Sequence, residues 1–392
     1  MEKIVEAIAK NDVILLKEYT IDPNFDANSL YSINEGIVLN FFKRETLVLN
    51  KLNLLQIAAI YNSLECFIYL INEKKIVDTN LSDGYTPFHY CCICNSLEVA
   101  TYLFYYYKKK GDIKFIQDII ESDYKSQPNG ITICNMCTNT GSYEILNILV
   151  NNYGYSINKV YHMNGESIQK AIERSISKKY TECLKIILSS INTRTFSSFS
   201  EFMLMTAVIF HNIEAVKLIL NQYEEDSEIS FSQPENPISI ACYLKQKEIL
   251  FEILKHVNKF AFSNINYTRG PIHWICECGD AEVAKEFFKL NINPNALDEN
   301  SKIGLCYSTF TSENEEEYLK IFQMMLDHSW NINQHSGDNM RPIDILLNSY
   351  YKPMKLIRFL LEHDVTLTNF AIEKIKNSRN RFLIELKKAL CL

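Results

Sequence analysis

Cys134-Asn135-Met136-Cys137 has the spacing of a redox pair or of half a zinc site, and Cys91-Cys92-Ile93-Cys94 places three thiols in four residues. A structural zinc needs four converging ligands, typically from two such knuckles. His89 and His273 could move protons, but neither has a nucleophile at a meaningful spacing. The chain contains no phosphate-cradling loop, no dinucleotide glycine pattern, no His-Glu-x-x-His and no kinase or hydrolase signature. The expectation is a protein that is not an enzyme and uses neither metal nor cofactor.

What positions these residues is a repeat. Asp83-Gly84-Tyr85-Thr86-Pro87-Phe88-His89-Tyr90-Cys91-Cys92 returns, blurred, as Thr268-Arg269-Gly270-Pro271-Ile272-His273-Trp274-Ile275-Cys276. With Thr86 as the register mark, the equivalent positions are Asn53, Thr86, Thr132, Ser167, Phe202, Asn236, Gly270, Ile303 and Arg341. The steps are 33, 46, 35, 35, 34, 34, 33 and 38 residues. Such a period means a stack of short supersecondary units rather than one globule. The cysteines then acquire a plain role. Cys92, Cys242 and Cys276 share one repeat position, where Ala59 stands in another copy, so cysteine replaces alanine in a close-packed seam.

Each unit reads as a helical hairpin. Pro87, Pro237, Pro271 and Pro342 fall where a first helical turn tolerates a missing N–H. Thr86 and Asn236 suit the N-cap before them. A break follows at Asn62, Asn95, Gly141, His211 and Gly279, and Asn stands there for Gly because it tolerates the left-handed region. The second helix carries apolar residues three and four apart, as in Val216, Ile219 and Leu220. A lone hairpin would leave apolar faces in water, so stability must reside in the stacking.

These units resemble the ankyrin repeat, whose pattern opens Asp-x-x-Gly-x-Thr-Pro-Leu-His. The match is strong for Asp83 to Leu103 and Pro271 to Leu290, and weak near Ile303. The resemblance implies an all-α, ankyrin-type α-solenoid with short hairpin-like loops. It implies that His89 and His273 bridge neighbouring repeats, which a neutral imidazole can do by donating through one nitrogen and accepting through the other. It also implies that Asn158, Asn295 and Asn333 match the repeat-end asparagine that can be hydroxylated.

The expected layout is a capping helix pair at 1–27, an insertion at 28–50, nine repeats over 51–368 with a longer linker near 105–128, and capping helices at 369–392. In the insertion, Ser29-Leu30-Tyr31-Ser32-Ile33 and Ile37-Val38-Leu39-Asn40-Phe41 around Asn34-Glu35-Gly36 could form a hairpin. The 46-residue step suggests a lengthened second helix and an added helical segment. Insertions of this kind often bind, although the alternative is longer loops alone.

In ankyrin-like folds, partners meet the loop tips and the inner face of the first helices. By register, this selects Tyr85, Ile131, Glu166, Glu201, Glu235, Arg269 and Lys302 just before the marks, and Tyr90, Met136, Trp274 and Tyr307 four residues after them. Large aromatics make strong binding anchors, and the acids would suit a basic segment of a partner. The alternative for Tyr90 and Trp274 is packing against neighbouring helices. The runs Glu224-Glu225-Asp226 and Glu313 to Glu317 read as solvated loops and helix starts.

Net charge of -7 in 392 residues argues against nucleic acid, which wants a concentrated cationic face. No apolar run is long enough to span a bilayer, the N-terminus lacks a secretory layout, and twelve cysteines are too sparse for a disulfide scaffold. The expectation is a cytoplasmic or nuclear monomer whose partner is another protein, with no nucleic acid and no membrane. An adaptor or scaffold is the first reading. A substrate-recognition or host-directed effector subunit is the alternative, and an enzyme with a site in 28–50 or 105–128 is a distant third.

Overall fold

The computed structural model describes residues 2–22, 25–26, 29–42, 45–75, 85–111, 117–121, 132–159, 165–223, 236–257 and 269–389. The chain divides into two compact units, Met1–Thr206 and Ala207–Leu392.

The first unit opens with a helical pair, α1 (Glu2–Ala9) and α2 (Val13–Tyr19). Asp12 caps α2 by accepting from the Leu15 amide at 2.9 Å. Two strands follow, β1 (Tyr31–Phe42) and β2 (Glu45–Leu52), paired antiparallel. The chain reversal expected at Asn34-Glu35-Gly36 is not there. That segment lies within β1, where the register shifts between the Ser32–Lys51 and Ile37–Leu49 pairs. Turn-forming residues inside a strand here produce a bulge, and the reversal falls between Phe42 and Glu45.

Helical pairs then repeat: α3 (Leu54–Ile60) with α4 (Leu64–Asn72), α5 (Pro87–Cys94) with α6 (Leu97–Lys109), α7 (Ile133–Thr140) with α8 (Tyr143–Tyr153), and α9 (Gly165–Ser177) with α10 (Thr181–Ser190). The second helix α6 is long, at 13 residues, and residues 117–121 are helical as well. The boundary between units falls within α11 (Thr193–Ile209). The second unit continues with α12 (Ile213–Leu220), α13 (Pro237–Tyr243), α14 (Lys247–Lys255), α15 (Pro271–Cys278), α16 (Ala281–Phe288), a 3-10 turn (Gly304–Tyr307), α17 (Glu315–Asp327), α18 (Pro342–Asn348), α19 (Met354–Glu362), α20 (Asn369–Lys376) and α21 (Arg381–Ala389). Apart from the hairpin, each described unit is an all-α solenoid segment.

The local chemistry explains the helix starts. Asn53 accepts from the Gln56 amide at 2.7 Å while Gln56 accepts from the Asn53 amide at 2.9 Å, a reciprocal capping box. Asn236 makes the same box with Ser239 at the start of α13, and Thr132 caps α7 by accepting from the Asn135 amide at 3.3 Å. Asn62, Asn95, Gly141, His211 and Gly279 all have positive φ, as do Lys179 and Lys245. Three register marks depart from the pattern. Ser167 and Phe202 lie inside helices, and Ile303 precedes only a single 3-10 turn. At Phe202 no proline follows to begin a helix, and the start moves back to Asn192, whose side chain accepts from the Thr195 amide at 2.9 Å.

The first helices α5 and α15 are enclosed over most of their length. Pro87 through Ile93 are all buried in α5, and Pro271 through Cys276 in α15. Three kinds of hydrogen bond then tie one repeat to the next. Loop asparagines act in two directions. Asn295 donates to the Ser329 carbonyl at 2.8 Å and accepts from the Asn331 amide at 2.6 Å; Asn158 and Asn333 do likewise with Ser190 and Asn192, and with Asp364 and Thr366. The residue three after the mark reaches the following loop, as Gln56 does to the Tyr85 carbonyl at 2.8 Å. Residues at the start of second helices reach back to a carbonyl of the preceding first helix: Ser142 to Cys92 at 3.1 Å, and Gln246 to Val208 at 2.9 Å.

Candidate protein-interaction surface

Most of the described thiols are enclosed. Cys134 and Cys137 are buried, and burial pushes Cys94 and Cys276 up to about 12 and Cys66 up to about 11. Protonated, enclosed thiols are neither nucleophiles nor metal ligands. Among the described residues no three His, Cys, Asp or Glu side chains converge on a point where a metal could sit.

His273 ties its repeat to the following loop. His273 Nδ1 accepts from the Gly270 amide at 3.1 Å, and Nε2 donates to the Lys302 carbonyl at 3.0 Å. This is the bond that Gln56 makes to Tyr85, one residue before the next mark in both cases. Burial lowers the His273 pKa, so the neutral ring that this geometry requires is the favoured form. Burial lowers His89 to about 4, and its Nδ1 accepts from the Thr86 amide at 3.1 Å.

The proposed binding residues separate by exposure. Tyr85, Tyr90, Met136 and Trp274 are buried, the last three fully, so their side chains present no surface to a docked protein. For Tyr90 and Trp274 the structure has the packing arrangement: Tyr90 meets Tyr85 edge-on at 6.2 Å between centroids, and Trp274 lies 6.5 Å from Phe287. The register placed them correctly at four residues after the mark, but the first helix is covered on that side too. Glu166 sits in α9, whereas Ile131 and Glu235 fall outside the described residues. Glu201 is half-buried, its Oε1 has no hydrogen-bond partner among the described residues, and burial raises its pKa.

Arg269, Lys302 and Tyr307 remain at the surface, and the second unit brings them together. The Arg269 guanidinium lies 3.8 Å above the Tyr307 ring while Nη2 donates to Glu277 at 2.9 Å. Tyr307 donates to Asp298, whose other oxygen accepts from the Asn300 and Lys302 amides, each at 2.8 Å. Burial, reinforced by Asp298, pushes the Tyr307 hydroxyl up to about 12. Burial alone would raise Asp298, but these three donors hold it below the usual carboxylate range. The result is a fixed platform of a flat cation on an aromatic ring, beside the exposed Lys302. Sequence reasoning missed Glu277 and Asp298. The turn Asp298-Glu299-Asn300-Ser301-Lys302, with Ser301 at φ 58°, carried the signal for Asp298.

The acidic run at the start of α17 is also more than a solvated helix start. Glu317 accepts from the Ala281 amide at 3.0 Å, and the buried Glu315 accepts from the Lys355 amide at 2.6 Å. Glu315 thereby caps α19, whose own N-cap is Pro353.

No helix among the described residues is long and apolar enough to cross a membrane. Residues 28–114 match a family model described as ankyrin repeats in three copies. No curated protein matches the chain. Among solved structures, the ankyrin repeat domain of Bcl-3, a member of the IkappaB protein family, is similar at 16% identity, covering 62% of this chain and 100% of that one with a TM-score of 0.45. Ankyrin repeats are in general protein–protein interaction modules, and as a rule not enzymes. Residues 28–114 thus match ankyrin repeats, and the capped helical hairpin, left-handed break and inter-repeat clamps recur in both units.

Proposed function

We propose that the chain is a non-enzymatic adaptor or scaffold that binds a partner protein through loop tips and first-helix residues, acting as a monomer in the cytoplasm or nucleus. The observation that carries this reading is the Arg269–Tyr307–Glu277 platform with Lys302 beside it. Its groups are held before any partner arrives, so little side-chain entropy is lost on docking. Arginine and tyrosine are also the residue types that dominate binding hot spots. Glu201 supports the same reading in the first unit, because a half-buried carboxylate whose Oε1 has no hydrogen-bond partner among the described residues gains by meeting a cation. The layout carried into the proposal is a capping pair, the hairpin insertion, nine repeats over 51–368 and a closing cap.

The test is quantitative affinity purification from the native source with the wild-type chain and an Arg269→Ala/Lys302→Glu variant. Lys302 is exposed and Arg269 part-exposed, so melting curves of variant and wild type are compared to show that both are folded. Loss of a defined set of proteins supports the proposal, and an identical set refutes it.

A further inference from the structure

Helix α13 packs against α15, and two thiols meet at this seam. The side chain eight residues after one mark reaches the residue six after the mark before it, as Thr140 does in donating to the Cys92 carbonyl at 3.0 Å. Those paired positions hold Ala59 with Cys94, Cys92 with Thr140 and Val208 with Leu244, one thiol at most in each. Between α13 and α15 they hold Cys242 with Cys278. The same seam differs in a second way. Ser142 and Gln246 donate back to the Cys92 and Val208 carbonyls, but the equivalent residue here is Asp280. A carboxylate cannot donate, and Asp280 accepts instead from the Glu282 and Val283 amides at 2.9 and 3.0 Å. The thiols bond to each other, the Cys242 S–H donating to the Cys278 sulfur. Cys242 is fully buried, whereas Cys278 is 5% exposed at the end of α15, next to the part-exposed Gly279 and Asp280. The hydrogen bond from Cys242, with the Asp280 amide and the Lys245 charge, outweighs burial and holds the Cys278 thiol below its ordinary value.

We propose that Cys278 and Cys242 are an oxidation site, at which hydrogen peroxide or another hydroperoxide converts the two thiols to a disulfide joining α15 to α13. The outer residue reacts first. The Cys278 thiolate attacks one peroxide oxygen, an S–O bond forms as the O–O bond breaks, and the departing hydroxide is protonated to water. The Cys242 sulfur then attacks the Cys278 sulfur. An S–S bond forms as the S–O bond breaks, and the leaving hydroxide takes the Cys242 proton. Two thiols lose two electrons in all, and one peroxide is reduced to two waters. Cys276 cannot take the place of Cys278, because it is fully buried and burial pushes its thiol up to about 12. A bond between neighbouring repeats restricts the unfolded chain, so the oxidised protein is the more stable form. The site lies within the stack and makes no use of the loop-tip platform, so the inference does not rest on the function proposed above.

The experiment treats the reduced full chain with a small excess of hydrogen peroxide at neutral pH and blocks the remaining thiols with iodoacetamide. The unreduced digest is then mapped by mass spectrometry. The expected product is a peptide cross-linked through Cys242 and Cys278, with both thiols lost to alkylation. The melting midpoint should rise on oxidation and return with dithiothreitol. Cys242→Ala, which puts at this position the residue that Ala59 supplies in another repeat, should leave the Cys278 sulfenic acid open to dimedone. Cys278→Ser should leave Cys242 reduced. Melting curves of the reduced variants show whether they are folded, and the wild-type map decides by itself if they are not. Cys278 left unmodified while added glutathione is oxidised overturns the inference. So does Cys278 oxidised with Cys242 still free, or Cys242 bonded to a different cysteine.

Discussion

His273 donates to the carbonyl of Lys302 across 3.0 Å, and through that bond a buried imidazole sets the loop that carries an exposed cation. Stability and the proposed binding platform therefore share residues in the second unit. His273→Ala should destabilise the chain by about 1–3 kcal/mol, because it leaves the Gly270 amide and the Lys302 carbonyl without this partner. His273→Gln should recover part of the loss, since Gln56 performs the same role in the first unit. Denaturant midpoints of the three proteins check this.

Acid should loosen the stack through the same histidines. His89 has a folded pKa lowered to about 4 by burial, while the unfolded side chain titrates near 6.5. The unfolded state therefore binds more protons as pH falls, so this contribution is intact above about pH 6.5 and is lost progressively toward pH 4. By pH 5 the loss from His89 alone is about 2 kcal/mol. Urea midpoints at pH 7 and pH 5 should differ more for wild type than for His89→Gln.

Asn295 makes two bonds to the following repeat, and Asn295→Ala removes both at a cost of about 1–3 kcal/mol. Amide exchange offers a sharper check than melting. The Asn331 N–H, which Asn295 accepts at 2.6 Å, should exchange faster in the variant while amides inside α13 are little changed.

The left-handed breaks give a pair of opposite substitutions. Gly279→Ala places a methyl 2.9 Å from the Tyr318 hydroxyl at φ 67°, so it should destabilise by at least about 1 kcal/mol. Lys245→Gly should stabilise by a similar order, because it relieves the backbone without removing a buried group. Thermal melts of the two variants should shift in opposite directions.

Burial separates the large apolar residues. Trp274→Ala should cost about 3–5 kcal/mol, whereas Ile209→Ser should stay within about 0.5 kcal/mol of wild type. A small effect at Trp274 would contradict its enclosed position.

The sequence was most legible where short-range rules act. Thr86, Thr132 and Asn236 announced helix starts because capping is decided within four residues, and five predicted breaks all proved left-handed. It was least legible where neighbours decide. Ser167 and Phe202 kept the period yet fall inside helices, since a stable start two or more residues earlier takes precedence. Tyr90 and Met136 occupy the expected register, but whether a first helix is covered on that side depends on the adjacent repeats. Arg269 and Tyr307 were selected singly. Their stacking sits beside a first helix reduced at Ile303 to one 3-10 turn, where Gly304 permits a close approach: any Cβ there would lie 2.9 Å from the Ile272 carbonyl oxygen.

The most direct measurement is the set of proteins recovered with wild-type chain against that recovered with Arg269→Ala/Lys302→Glu, at matched folding and expression. Selective loss of a reproducible group from the double variant is the predicted result. Equal recovery by a folded double variant would contradict the assignment of this platform as the place where the chain grips its partner.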